Sequence, residues 1–210
     1  GTLDITENGT YDVTNYASAE VNVAGGSDEM DALVKRTITS YSNDSLTSVG
    51  NYVFHSCTKL TSVNLPKVTS LGTSAFNNCT ALTSIEIPLV QSITTQTFYA
   101  CNSLTSLTMP SLKTIGAQGV RANKKLAKVD LGVVTSIGAL SFDGCSLLDA
   151  CIVRTSSVCK LVNVSAFTGT LIASGTGYIY VPDDLVASYK TATNWSTYAS
   201  QIKPLSELEG

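Results

Sequence analysis

The single histidine is the first residue to consider for chemistry, because serine and cysteine hydrolases both use a histidine as general base. It is His55, and the positions 22, 44, 66 and 88 residues further along hold Asn77, Tyr99, Arg121 and Asp143. Such variation at one recurring position is typical of a solvated turn. The sequence also lacks the H-E-x-x-H, G-x-S-x-G and P-loop motifs. We therefore predict no catalytic residue and no enzyme activity.

The carboxylates do not suggest an acid–base pair either. Glu86 and Asp130 occupy the same position two repeats apart, which is ~10 Å if each repeat adds one strand. A glycosidase needs a cleft around its two carboxyl groups, whereas this pattern predicts an open, solvated face. Arg121, Lys124 and Lys128 belong to a basic cluster that could meet an acidic partner or form a solvated rim.

Cysteine provides the remaining reactive side chains. Four of the six cysteines recur at one repeat position, and the fifth copy of that position is asparagine: Cys57, Cys79, Cys101, Cys145 and Asn123. A small polar side chain at such a bend can bond the backbone of the adjoining coil, so we predict buried free thiols. Cys151 falls on a core strand position, and the state of Cys159 is left open. No C-x-x-C occurs, so we predict no zinc site, redox centre or cofactor.

A period of 22 residues positions all of these side chains, and it runs from Ser48 to Thr155 in five copies. The copies place Phe54, Phe76, Phe98, Val120 and Phe142 at equal intervals, and Leu-x-x-[Val/Ile/Leu] recurs with them. One repeat cannot bury its apolar edge alone and must stack on its neighbours. The predicted fold is therefore a repeat solenoid, mainly β with short helical turns, with helix-containing caps at both ends.

Each coil is predicted to contain two short strands and a turn. The first strand, as in Leu60–Leu65, ends at Pro66 because proline cannot donate the next ladder hydrogen bond. A second strand, as in Val68–Leu71, precedes the turn that carries phenylalanine inward. The fourth coil has Gly119-Val120 where the others have a phenylalanine, so we expect a local loosening there.

The chain is expected to divide into four segments. Residues 1–26 form a small β module with an Asn-Gly hairpin turn and a glycine-rich linker. Residues 27–47 form an N-terminal cap with one helix, and 48–155 are the five repeats. Residues 156–210 hold an irregular last repeat and a C-terminal cap, in which a helix with an acidic start and the lone tryptophan cover the last coil.

Composition limits the classes of partner. The chain has 210 residues, 43% of them hydrophobic, with a formal net charge of −3, and is expected to be globular. Only 13 lysines and arginines argue against nucleic acid as a partner, because counterion release needs a dense basic face. No apolar run approaches ~18 residues, so membrane insertion is not expected. The first residues lack the regions of a signal peptide.

The motif Leu-Thr-Ser-Ile-x-Ile-Pro with Ser-Ile-Gly-x-x-x-Phe-x-x-Cys resembles the BspA-like class of bacterial leucine-rich repeats over roughly residues 28–205. The resemblance implies a right-handed solenoid from a cell-surface or secreted protein of a gut or oral bacterium, with a role in adhesion. The segment Ile5–Val13 is similar to short β segments of surface and prophage-tail-associated proteins. Together they imply an extracellular, surface or virion location.

The outward strand positions then form the candidate binding face, which consists of Ser62, Asn64, Ser84, Glu86, Ser106, Thr108, Lys128 and Asp130. Repeat proteins use such polar sheet faces for recognition. Four turn residues could add contacts, because tyrosine and arginine are favoured at interfaces: Tyr52, His55, Tyr99 and Arg121. The predicted function is a binding or adhesion scaffold for a protein or glycan, of unassigned oligomeric state. The alternative is a structural spacer or tail component with no ligand of its own.

Overall fold

A computed structural model describes residues 38–209. The β module predicted at 1–26 and the helix predicted after Ser27 lie outside these residues. Across the described part, each turn of the chain contributes a strand to one or both of two ladders, and the coils stack in parallel. The predicted solenoid fold is confirmed.

The first ladder lies on one face of the stack and is built from the predicted Leu-x-x-Val-type strands. Its strands are β1 (Ser40–Ser42), β3 (Ser62–Asn64), β5 (Ser84–Glu86), β7 (Ser106–Thr108), β9 (Lys128–Asp130), β11 (Ala150–Ile152), β13 (Tyr178–Val181) and β14 (Ile202–Pro204). The second ladder consists of β2 (Ser48–Val49), β4 (Ser70–Leu71), β6 (Ser92–Ile93), β8 (Thr114–Ile115), β10 (Ser136–Ile137) and β12 (Lys160–Leu161).

Helices are few and short in the described chain. Three 3-10 turns span Val164–Phe167, Asp183–Leu185 and Trp195–Tyr198, and two helical segments follow as α1 (Val186–Thr191) and α2 (Ser206–Glu209). No helix between residues 38 and 209 has the length and apolar character needed to cross a membrane.

The strand pairing keeps the repeat register until the last coils. Ser62 pairs with Ser40 and with Ser84, each 22 residues away. Later pairs are more widely spaced, since Lys160 pairs with Ser136 and Tyr178 with Ala150. The predicted loss of the 22-residue register after Thr155 is thus absorbed by longer connections, while the stacking itself continues.

The first ladder is interrupted in one place. It forms a three-stranded sheet, β1-β3-β5, and a five-stranded sheet, β7-β9-β11-β13-β14, whereas the second ladder is one continuous six-stranded sheet. Ile85 on β5 is only partly buried, although its counterparts Val63 and Leu107 are 2% exposed. The outer surface of the first ladder, called the strand face below, therefore has two halves. The uniform repeat in the sequence did not indicate this division.

The core is an apolar column along the stack axis. Phe76 is 0% exposed, and its ring stacks on Phe54 at a centroid distance of 5.0 Å and on Phe98 at 5.4 Å, with interplanar angles of 6° and 8°. Val120 interrupts the column of rings. The predicted loosening of the fourth coil is nevertheless not seen in the hydrogen bonds, because the N–H of Val120 still donates to Ser141 O at 2.9 Å.

The turn that carries each phenylalanine has an unusual backbone. Two residues per turn have positive φ, and most are not glycine: Tyr52, Ser56, Ser74, Asn78, Gln96, Ala100, Gln118, Ala122, Leu140 and Gly144. Turn N–H groups donate to the next coil, as from Phe54 to Ala75 O at 2.8 Å. These bonds between coils hold a conformation that costs roughly 1–2 kcal/mol for a residue with a Cβ atom.

We expect Ala122→Gly to stabilise the protein by about 0.5–1 kcal/mol, because glycine removes this cost but gains some entropy when unfolded. Ala122 has φ 63° and corresponds to Gly144 with φ 74° in the next coil. Gly144→Ala should destabilise by a similar amount, since a Cβ there lies 3.7 Å from the Ala122 Cα, at ordinary contact distance. Urea unfolding measures both variants.

The control for this pair is Ala127→Gly, at a position without positive φ. It should lose stability rather than gain it, because glycine gains entropy in the unfolded chain and relieves no left-handed conformation at this position. Stabilisation by glycine at both Ala122 and Ala127 would contradict an effect of the left-handed turn.

Candidate binding surface

The three-stranded half of the strand face contains a shallow pocket of about 210 Å³. Outward side chains of β1, β3 and β5 line it, with Tyr41 and Val63 contributing from the buried layer: Ser40, Tyr41, Ser42, Ser62, Val63, Asn64, Ser84 and Glu86. Four residues of the predicted binding face thus come together, and β1 adds two serines. The pocket offers hydroxyl groups, one amide and one exposed carboxylate, which are donors and acceptors suited to a polar ligand.

The other four residues of the predicted face lie on the five-stranded half. Ser106 and Thr108 are exposed on β7, and Lys128 is exposed on β9. Asp130 is less accessible because its carboxylate accepts from Arg154 Nε at 3.0 Å and from the Gly132 N–H at 3.2 Å. The interruption between β5 and β7 separates these residues from the pocket, so the predicted single face is two surfaces.

Three outward residues of the same half were missed by the sequence interpretation. Tyr178 and Tyr180 lie on β13, beside Lys203 on β14, and the Tyr178 row continues the row of Ser106 and Lys128. The spacing of 28 residues between Ala150 and Tyr178 hid the register. The alternation Tyr-Ile-Tyr-Val before a proline was the available signal, because alternate residues of a strand point to the same face.

Of the candidate turn contacts, Tyr52 is exposed, whereas His55, Tyr99 and Arg121 are only partly exposed. The Tyr52 and His55 rings meet edge-on at a centroid distance of 6.1 Å. The Arg121 guanidinium carbon lies 6.0 Å from the Tyr99 ring centroid, and Arg121 Nε donates to Asp143 Oδ2 at 2.7 Å. These groups largely satisfy one another. The interpretation of the His55 repeat position as a solvated turn is therefore wrong. Because the coils stack in register, each side chain at this position packs against its neighbours in the adjoining coils.

Asn77 shows the same effect most strongly. It occupies the His55 position one coil further on and is 9% exposed. Its Oδ1 is buried without a hydrogen-bond partner in the described structure. Residue type alone suggested a solvated side chain there.

The cysteine ladder has the predicted backbone bonds. Cys79 Sγ donates to Phe54 O at 3.0 Å and Cys101 Sγ to Phe76 O at 3.1 Å, each to the preceding coil. Asn123 donates through Nδ2 to Phe98 O at 2.7 Å, which confirms that thiol and amide serve the same purpose. Its Oδ1 is buried without a partner. Cys159, whose state was left open, is also a buried thiol.

Burial suppresses the reactivity of these thiols. It raises the pKa of Cys101 to about 12, and a backbone hydrogen bond acts in the opposite direction. Burial likewise raises the pKa of Cys145 and of Cys159 to about 12. Since the thiolate is the nucleophile and metal ligand, these cysteines are inert in the folded protein. Among residues 38–209, no cluster of three or more histidine, cysteine or acidic side chains could hold a metal ion.

We expect folded protein at pH 8 to react negligibly with Ellman's reagent, because the raised pKa values leave little thiolate. After unfolding in guanidinium without reductant, at least four thiols should titrate, as the ladder requires. Quantitative disulfide formation among Cys57, Cys79, Cys101 and Cys145 would contradict the ladder.

Substitution of Cys101 tests the backbone bond directly. Cys101→Asn should be tolerated, because Asn123 already fills the same position with its Nδ2 bonded to two carbonyls. Cys101→Leu should cost about 2 kcal/mol or more, since it leaves Phe76 O unpaired and overpacks the bend. Thermal unfolding distinguishes the two variants, and equal losses would show that the hydrogen bond is unimportant.

Comparisons with known proteins agree with this architecture. A family model described as "BspA type Leucine rich repeat region" matches residues 35–149 in six copies, beginning before the five copies that start at Ser48. The crystal structure of a T. pallidum leucine-rich repeat protein is 29% identical, with a TM-score of 0.51, and the match covers 55% of this chain and 58% of that one. The pneumococcal vaccine antigen PcpA is 19% identical, with a TM-score of 0.60, over 79% of this chain and 40% of that one.

This chain therefore spans only part of the length of the solved proteins it resembles. No curated protein matches the sequence significantly. The PcpA likeness extends the agreement in fold beyond the family match, into the last coils.

Proposed function

Because the chain belongs to the BspA-type leucine-rich repeat family, we propose that it is a non-enzymatic binding module that captures a protein or a glycan on its strand face. Leucine-rich repeats generally act as interaction scaffolds, in which a rigid stack presents side chains at fixed spacing. The 22-residue register provides this spacing here, with Ser62, Asn64 and Glu86 at fixed points of adjacent coils.

The pocket on the three-stranded half is the observation that carries the proposal. Its outward walls are polar, and Asn64 and Glu86 stand opposite each other on paired strands. No ion pair among the described residues involves Glu86. An unpaired carboxylate among hydroxyl groups can accept hydrogen bonds from ligand hydroxyl, amide or ammonium groups.

The proposed location is outside the cell, at a bacterial surface or on a phage-like tail. The support is the family membership together with the resemblance of Ile5–Val13 to surface and tail segments. A structural spacer is the second candidate function, favoured by the small and chemically plain serines that fill much of the strand face.

The test is capture from an array of host matrix proteins, mucins and bacterial wall glycans by the 210-residue chain. Glu86→Ala should weaken capture at least about fivefold, while the melting temperature stays within about 2 °C, because the removed side chain is exposed. Glu86→Gln separates charge from shape. Ser70→Ala, exposed on the second ladder, is the matched control and should bind like the native chain.

Asp130→Ala is less suited to this purpose, because it breaks the ion pair with Arg154 and can change stability as well. Capture that survives every pocket substitution would exclude the strand face as the binding surface. Absence of capture on the array, together with assembly driven by residues 1–26 alone, would support the spacer.

A further inference from the structure

The five-stranded half of the strand face has an aromatic group of its own. Tyr178 and Tyr180 are half-buried neighbours on β13, with ring centroids 6.3 Å apart and ring planes at 61°. Lys203 Nζ lies 4.3 Å from the Tyr178 ring centroid and 2.7 Å from Glu207 Oε2. The cation–π contact and the ion pair hold the phenol in place, so the ring is a preorganised surface.

The strand register implies a notch next to this ring. Along one row of the sheet, Lys128 pairs with Ala150 and Ala150 pairs with Tyr178. The methyl group of Ala150 is much shorter than the side chains on either side of it. Lys128 and Tyr178 are two strand spacings apart, or ~10 Å between backbones, which leaves room for one flat ring between them. In the adjacent row Ile152 is fully buried, so it offers no surface to a ligand and the site is limited to the row of Lys128, Ala150 and Tyr178.

The charges around the notch compensate one another. Arg154 Nε pairs with Asp130 Oδ2 at 3.0 Å, and Lys203 pairs with Glu207. Lys128 has no ion pair within the described chain, but the exposed Asp149 precedes Ala150 in the sequence. A compensated surface does not attract a strongly acidic or basic partner. It does offer an ammonium donor and carboxylate acceptors beside an aromatic ring.

We propose that Tyr178, Ala150 and Lys128 form a subsite for one ring of a neutral saccharide. The C–H face of a pyranose is apolar and slightly positive, and therefore packs on the negative face of a phenol ring. The hydroxyl groups of the sugar can accept hydrogen bonds from the Lys128 ammonium group and donate hydrogen bonds to the carboxylates around the subsite. The subsite rests on the proposed binding role of the strand face but not on the pocket, from which it differs in residues and in sheet.

The experiment is calorimetric titration of the 210-residue chain with four neutral oligosaccharides: cellohexaose, maltohexaose, xylohexaose and mannohexaose. We expect at least one to bind. Tyr178→Ala should weaken it about tenfold or more, and Ala150→Leu should abolish it by filling the notch. Tyr178→Phe should bind within about twofold of the native chain, because the ring is kept. Lys128→Gln should weaken sugar binding about two- to fivefold, because the ammonium donor is missing.

Melting curves check that each variant folds, and Ala150→Leu keeps the Cβ atom of the alanine that it replaces. A Glu-rich peptide and a neutral Ser/Thr-rich peptide are titrated in parallel. Failure of all four sugars, or sugar binding that persists in Ala150→Leu, overturns the subsite. Peptide binding that depends on Tyr178 also overturns it, in favour of a protein ligand.

Glu86→Ala distinguishes the two proposals. Capture that depends on Glu86 but not on Tyr178 overturns the subsite and leaves the proposed function in place. Sugar binding that depends on Tyr178 but not on Glu86 supports the subsite and argues against the pocket as the binding position.

Discussion

Replacing Phe76 by alanine is expected to lower the free energy of unfolding by roughly 3–5 kcal/mol. The ring is 0% exposed and lies between two others, with centroids 5.0 Å and 5.4 Å away. Deleting it removes apolar burial and leaves a cavity that neighbouring coils cannot close, because their backbones are hydrogen-bonded to one another above and below. Loss of two stacked contacts adds to the cost.

Urea denaturation followed by circular dichroism measures the effect. Phe76→Leu should lower the free energy of unfolding distinctly less than Phe76→Ala does, since leucine keeps much of the side-chain volume and removes only the ring stacking. His55→Ala, on the half-buried turn row, should change the free energy of unfolding by about 0.5 kcal/mol or less. Equal losses for Phe76→Ala and His55→Ala would contradict the assignment of inward and outward positions.

Deleting residues 183–210 is expected to abolish soluble folding, the largest effect proposed for this chain. These residues cover the last coil and satisfy its backbone. The Trp195 indole N–H donates to Cys159 O at 2.6 Å, and the Cys159 N–H donates to the Tyr189 hydroxyl at 2.9 Å. Trp195 and Tyr198 also cover Phe167, with ring centroids 6.2 Å and 5.4 Å away. Without them an apolar coil and an unpaired strand edge face solvent, which favours aggregation.

Expression, light scattering and circular dichroism of residues 1–182 provide the measurement. Removing only 206–210 is the control and should be tolerated, because α2 is a peripheral single turn. Trp195→Phe keeps an aromatic ring but leaves Cys159 O unpaired, and should cost about 1–3 kcal/mol. A soluble, cooperatively folding 1–182 fragment would show that the segment is not a cap.

Much of the fold followed from the sequence because a solenoid repeats one environment. Phe76 and Cys101 recur every coil at positions where inward orientation is the only arrangement that buries them in register. The bond from the cysteine position to the preceding coil could be inferred for the same reason, and Asn123 confirms it. In a stack of this kind, residue type at a fixed spacing specifies both burial and neighbours.

The candidate site was less accessible to this reasoning. Glu86 and Asp130 occupy equivalent repeat positions, yet one lines a pocket and the other is bound by Arg154. Arg154 stands at the repeat position that holds proline in Pro66, Pro88 and Pro110, and Tyr178 reaches the strand face through a 28-residue step. The periodicity specifies neither the side-chain contacts between residues of different coils nor the lengths of the loops that connect them.

The sequence by itself determined the period, the inward column of rings and the cysteine ladder, because each depends on side-chain volume and polarity at a constant interval. Only the tertiary structure decided the left-handed turns at residues such as Ala122, the gap between β5 and β7, and the pairing of Ala150 with Tyr178. The turns require hydrogen bonds from adjacent coils to offset a local backbone cost. The gap and the pairing of Ala150 with Tyr178 depend on how successive coils align. That alignment is a property of the whole stack and cannot be inferred from one repeat.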